Sequence, residues 1–176
     1  MTGPVLVVVG PPAAGKTTVG AAVAAALGVP FRDTDADVEA ETGTSVADLF
    51  VQHGEPRFRE LEQRAVARAL AEHDGVLALG GGAVTSATTR ELLVGHGRGG
   101  GAVVWLDVDV ASAAKRVGLS RDRPLLAVNP RAMLRTMLEA RAPLYAEVAT
   151  CTVATGGRTV DEVVADVLAA VGPVTS

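Results

Sequence analysis

Val5-Leu6-Val7-Val8-Val9-Gly10-Pro11-Pro12-Ala13-Ala14-Gly15-Lys16-Thr17 is the stretch on which the fold class turns. Val5 to Val9 is wholly apolar and mostly β-branched, the pattern of a strand buried on both faces of a parallel sheet. The next eight residues match G-x-x-x-x-G-K-[ST]. From Lys16 to Leu27 the alanine-rich composition predicts a helix, with Gly28 as its stop signal. A phosphate loop requires this strand-loop-helix context. Its glycines let backbone N–H groups curl around phosphate oxygens, and the helix N-terminus offers the positive end of a dipole. Lys16 is placed to reach the β and γ phosphates and Thr17 to ligate Mg²⁺. Gly10, Pro12, Ala13, Ala14, Gly15, Lys16, Thr17 and Thr18 are therefore the expected ATP-binding residues of this segment. Lys16 is one of two lysines, the other being Lys115, in a chain that writes its remaining positive charge as arginine. A compact point charge on a flexible stem suits phosphates.

Working outward, similar apolar runs recur at Val29 to Arg32, Val76 to Leu79, Ala102 to Leu106 and Cys151 to Ala154, separated by helical periodicity. Strands alternating with helices predict an α/β parallel sheet. Glu55 to His73 predicts an amphipathic helix with Phe58, Leu61, Ala65, Ala69 and Leu70 on one face. In the final helix Val160, Val163, Val164, Val167, Leu168 and Val171 follow the 3.6 period, with Thr159 and Glu162 spaced as a capping box. His96 to Gly101 reads as a flexible loop, and Gly118 to Asn129, charged and Pro-containing, as a mobile lid. No repeat or low-complexity linker divides the 176 residues, so residues 1–176 are expected to form a single domain.

Composition narrows the function. The chain has five aromatic residues and a formal charge of -4, which speaks against base-stacking platforms and against a large phosphate-backbone footprint. No nucleic acid is expected as partner. Cys151 is the single cysteine, which excludes an internal disulfide, and it reads as a small buried thiol. His53, His73 and His96 lack metal-ligand spacing and read as surface or helix-end imidazoles. The sequence shows neither a secretory signal nor an apolar run of about 18 residues, so a cytoplasmic location without membrane contact is expected.

Three further patterns carry chemistry. Asp33-Thr34-Asp35 follows the second predicted strand at the carboxyl end of the sheet, and alternation along an extended chain would point both carboxylates to the cleft mouth. One suits a Mg²⁺ shell, the other an acceptor hydroxyl. Asp33 and Asp35 also suit simple helix capping. Arg59 and Glu62 lie at i, i+3 on a helix, so Glu62 is spaced to orient the guanidinium toward the cleft, or the two form a surface ion pair. Gly80-Gly81-Gly82 follows the third strand, where missing side chains allow close ligand approach, or make a plain turn. Asp107, after Val103-Val104-Trp105-Leu106, reads like the Asp that ends a Walker B strand and is a second metal candidate.

Taken together, the phosphate loop, Asp33-Thr34-Asp35, Phe58-Arg59 with Glu62, Leu79-Gly80-Gly81-Gly82-Ala83-Val84, Arg123-Pro124-Leu125-Leu126 and Arg141-Ala142-Pro143-Leu144-Tyr145 resemble the shikimate kinase family. The resemblance runs from about Val5 to about Leu168. It implies a three-layer P-loop kinase fold, with a five-stranded parallel sheet of order 2-3-1-4-5 and a lid near residues 118–129. The implied reaction is ATP-dependent phosphorylation of the 3-hydroxyl of shikimate, with Mg²⁺ as cofactor, small molecules as partners and a monomer as the expected state. By the same resemblance Asp35, Arg59, Gly81 and Arg141 would hold shikimate, within helices at about 35–62 and beyond. Thr17 and Asp33 would serve the metal, Arg116 would lie against adenine, and Arg123 would reach the phosphates from the lid. Lys16, Asp35 and Arg123 would be catalytic. The alternatives are another small-molecule kinase, such as a gluconate kinase, and a non-catalytic nucleotide-binding regulator. The chain departs from the pattern at Thr155-Gly156-Gly157-Arg158, where some relatives place an Asn-Arg pair near the base.

Overall fold

The computed structural model describes residues 3–117 and 130–173. The predicted lid and Arg123 lie outside the described residues. Five parallel strands form one sheet: β1 (Leu6–Val9), β2 (Phe31–Asp33), β3 (Val76–Ala78), β4 (Ala102–Asp107) and β5 (Cys151–Ala154). Their order is β2-β3-β1-β4-β5, the expected one. All four residues of β1 are buried, as a central parallel strand covered on both faces must be.

Two apolar layers flank the sheet. On one face Leu6, Val8, Val104 and Leu106 pack with Val19 and Val23 of α1 (Lys16–Leu27) and Val163 and Val167 of α7 (Val160–Val171). On the other, Val7, Val9, Leu77 and Val103 pack with Val66 of α3 (Val46–Glu72), Leu93 of α4 (Ala87–Arg98) and Tyr145 of α6 (Pro130–Val148). A third cluster joins Val38 of α2 (Thr34–Thr42) to Leu49, Phe58 and Leu61. It joins α2 to both parts of α3. The short α5 (Val110–Arg116) follows β4. Among the described residues no helix is long and apolar enough to cross a membrane.

Several local expectations are corrected. The second strand starts at Phe31 rather than Val29 and ends on Asp33. Asp33 then caps α2, its Oδ1 accepting from the Asp35 backbone N–H at 2.9 Å. Asp35 therefore sits in a first helical turn and not on an extended chain, because the cap satisfies a backbone donor that a continued strand would leave open. The Glu55 to His73 helix extends back to Val46, broken at Gly54 (φ 78°, ψ 168°), with Pro56 in the first turn of its second part, a position that needs no N–H partner.

His96 to Gly101 is not a loop throughout. Helix α4 runs through Arg98, and the glycines end it: Gly101 N–H reaches the His96 carbonyl at 3.0 Å, with Gly100 at φ 93°. That is a helix stop of the kind glycine favours. His73 is buried, its Nε2 3.0 Å from the Val76 carbonyl, and Cys151 is only half-buried. The Thr159 half of the capping box forms, Oγ1 accepting from Glu162 N–H at 3.2 Å, while the Glu162 carboxylate turns to Arg158 at 3.8 Å.

Candidate active site

The phosphate loop bends through a tight turn. Ala14 N–H donates to the Pro11 carbonyl at 3.2 Å, with Pro12 and Ala13 at the corners. Ala13 has φ 68° and is the single non-glycine residue with positive φ among the described residues. This is a type II turn, whose third position normally takes glycine. An alanine there costs about 1–2 kcal/mol. Gly10 tolerates no side chain at all, since a Cβ would stand 2.6 Å from the Leu106 carbonyl.

Lys16 rests on the loop, its Nζ donating to the Pro11 carbonyl at 2.9 Å. Burial pulls its ammonium down to about 8, opposed by the carboxylates of Asp35 and Asp33. Thr17 Oγ1 donates to Asp33 Oδ2 at 3.0 Å. Asp33 thus divides its oxygens between capping α2 and facing Thr17, so capping and cleft placement are compatible. Asp107 ends β4 with its side chain exposed, and its backbone carbonyl accepts from Thr155 N–H at 2.8 Å.

Beyond the loop, a cleft of about 220 Å³ is lined by Ala14, Gly15, Thr18, Arg116, Thr155 and Val160, among others. Arg116 donates to the Ala13 carbonyl at 2.9 Å, to Thr155 Oγ1 at 3.2 Å and to the Thr155 carbonyl at 2.8 Å. Guanidinium N–H bonds lie in the plane of the group. All three bonds leave from the edge of that plane. At Gly156, part of the departure from the family pattern, a Cβ would stand 2.2 Å from Asp109 Oδ1, so the carboxylate that caps α5 would have to shift.

On the opposite side of Lys16 lies a charged group drawn from α2, α3 and α6. Arg59 Nη1 meets Glu62 Oε1 at 2.8 Å, and its guanidinium lies over the rings of Phe58 and Phe50, at 5.3 and 5.9 Å. Glu62 is 3% exposed. This is not a surface ion pair, because the apolar third cluster encloses it on one side. Burial pushes the Glu62 carboxyl up despite Arg59, and pushes Asp35 up as well, with Asp33 adding and Lys16 opposing. The charge of Arg141 is felt at Lys16, Glu62 and Tyr145, which brings α6 to the same cleft.

The triple glycine makes room for these side chains. A Cβ on Gly80 would stand 2.6 Å from Glu62 Oε2 and 2.7 Å from Asp35 Oδ1, and one on Gly81 2.7 Å from Pro12 Cδ. On Gly82 it would collide with the Arg59 guanidinium. The turn is held by Tyr145, whose hydroxyl donates to the Gly81 carbonyl. Nothing in the sequence marks Tyr145 as more than part of a motif, since a lone aromatic in an amphipathic helix gives no signal beyond core packing.

A parallel sheet with helices on both faces and a phosphate loop beside a second, charged group of side chains defines a P-loop small-molecule kinase. The sequence model of the shikimate kinase family matches residues 12–172. A shikimate kinase from Frankia casuarinae is 58% identical over 168 residues, 96% of this chain and 72% of that protein. The structure of shikimate kinase from Acinetobacter baumannii in complex with shikimate is similar at a TM-score of 0.84 and 36% identity, covering 95% of this chain and 91% of that one. A gluconokinase from Sinorhizobium meliloti is similar at a TM-score of 0.61 and 25% identity, covering 94% and 90%. The chain belongs to the shikimate kinase family.

Proposed function

We propose that this chain transfers the γ-phosphoryl group of ATP to the 3-hydroxyl of shikimate, giving shikimate 3-phosphate and ADP. The observation that carries this reading is the aromatic-backed Arg59–Glu62 pair, its carboxylate buried, facing Asp35 across from the phosphate loop. A planar carboxylate suits guanidinium donors, and ring hydroxyls suit a carboxylate acceptor. Arg59 and Arg141 would hold the shikimate carboxylate and Asp35 its hydroxyls, with Gly81 at the edge of the pocket.

Transfer breaks the bond from the γ phosphorus to its bridging oxygen and forms one to the 3-oxygen of shikimate. Asp35, pushed up by burial, is a better proton acceptor than an ordinary carboxylate and would take the hydroxyl proton. Lys16 would stabilise charge on the phosphates, with Arg123 contributing from the segment beyond α5. The donor set fits Mg²⁺: Thr17 Oγ1 and Asp33 Oδ2, hard oxygens 3.0 Å apart, would hold the ion. Bound with ATP, the ion would neutralise charge on the phosphate oxygens. Arg116 would face the adenine, and the whole chain 1–176 would act as one kinase domain.

ADP release from Mg-ATP, measured with and without shikimate on wild type and K16A, tests the reading. Shikimate-dependent release that is lost in the variant is expected. Release stimulated by gluconate instead of shikimate would move the chain to the other kinase class, and ATP binding without turnover on any acceptor would make it a regulator.

A further inference from the structure

We infer that Arg116 is a positioning residue for the phosphate loop, holding the Ala13–Ala14 peptide in the orientation that presents Lys16. The inference rests on the nucleotide-site reading above and adds a role that facing a base does not include.

The chain of contacts is continuous. A trans peptide points its C=O and N–H in opposite directions. The Ala13 carbonyl points out to Arg116 at 2.9 Å, and the Ala14 N–H of the same peptide points in to the Pro11 carbonyl at 3.2 Å. That carbonyl also accepts from Lys16 Nζ at 2.9 Å. One flat unit therefore links the guanidinium to the ammonium. Turning this peptide would release the Pro11 carbonyl and reaim the backbone N–H groups on which a phosphate cradle depends.

Ala13 makes such turning easy. Its φ of 68° lies where an L side chain is disfavoured, so the loop is not self-holding as it would be with glycine. The counterweight is external and rigid. Arg116 is itself fixed by Thr155 through two bonds. Thr155 is 2% exposed and is tied to the Asp107 carbonyl of β4 by its N–H at 2.8 Å and its Oγ1 at 3.1 Å. The strained loop is thus pinned to the sheet, and the pin carries a positive charge, which strengthens its bond to the carbonyl.

The test is a double-mutant cycle read as the Kd of Mg-ATP, by calorimetry without shikimate. R116M keeps the aliphatic stem and removes every donor, and A13G removes the conformational penalty that the clamp opposes. R116M is expected to weaken Mg-ATP about tenfold in the wild-type background and less than about threefold in the A13G background, because glycine holds the turn unaided. Equal losses in both backgrounds, as a guanidinium that only touches the base would give, overturn the inference. So does wild-type affinity in R116M. Arg116 is an exposed side chain, and Tm measured on each variant confirms folding. Shikimate-dependent ADP release by the wild type, run in parallel, judges the functional reading separately: ATP binding without turnover would sink that reading and leave the positioning role of Arg116 to stand or fall on the cycle alone.

Discussion

The Tyr145 hydroxyl donates to the Gly81 carbonyl at 2.5 Å, joining helix α6 to the turn after β3. Burial pushes this phenol up to about 12, so it stays a donor across the working pH range. Arg141 lies one turn earlier on the same helix, and its charge is felt at the phenol. One phenol therefore ties the helix that carries Arg141 to the glycine turn, both of which we propose border the acceptor. Y145F should raise the KM for shikimate about five- to twentyfold, the cost of a buried carbonyl left without its donor, and hardly move the KM for ATP. Steady-state kinetics on each substrate decide it, and a change confined to ATP would count against the arrangement.

Gly82 offers a steric test of the same pocket. Because a Cβ there would fall on the Arg59 guanidinium, G82A should displace Arg59 and raise the KM for shikimate at least tenfold, with nucleotide affinity kept. Unchanged shikimate kinetics would mean that Arg59 has free space to retreat into and is not positioned by this glycine.

Lys16 is held against its preference for water. Its pKa falls from 10.5 to about 8, so between these values the unfolded chain binds more protons than the folded one and stability rises with pH. Below pH 8 the full cost of the buried ammonium is present. K16M, studied free of nucleotide and metal, should therefore be about 1–3 kcal/mol more stable than wild type at pH 7, the difference shrinking toward pH 10.5. Urea denaturation at several pH values measures this, and a variant less stable than wild type at pH 7 would refute it. Such a gain in stability with a loss of activity is the usual mark of a functional lysine.

The choice between two aspartates for the metal can be made without disturbing the helix cap. D33N keeps the oxygen that caps α2 but loses the charge facing Thr17 Oγ1. The Mg²⁺ concentration for half-maximal activity should rise about tenfold in D33N and stay near wild type in D107N. The reverse ranking would transfer the metal to the end of β4.

The parts legible in the sequence are those set by short-range rules. β1, the loop and α1 lie where apolar run, glycine spacing and alanine content put them, because each depends on neighbours only a few residues away. Glycines beyond the loop mislead. In α4 Gly95 and Gly97 are helical, and Gly97 faces Thr150, where a Cβ would stand 3.0 Å from Cγ2. That contact joins distant parts of the chain and leaves no local trace. The same holds for Gly80 and Gly82, whose neighbours Glu62, Asp35 and Arg59 arrive from other helices. Burial of Glu62 is hidden for a related reason: its spacing to Arg59 fits an exposed pair equally well, and only the enclosing Phe58 cluster removes the water.

Trp105 stacks on Tyr145 with ring centroids 5.7 Å apart and 27° between planes, and it is the sole tryptophan of the chain. Light absorbed beyond the tyrosine band is therefore emitted from a single indole, one ring away from the phenol that holds Gly81. The molecule carries its own optical reporter on the half of the cleft that we propose for the acceptor. Filling that half should change the colour or brightness of its emission in the same instant, so occupancy can be followed in a stopped-flow cell with no label attached and no second enzyme coupled to product.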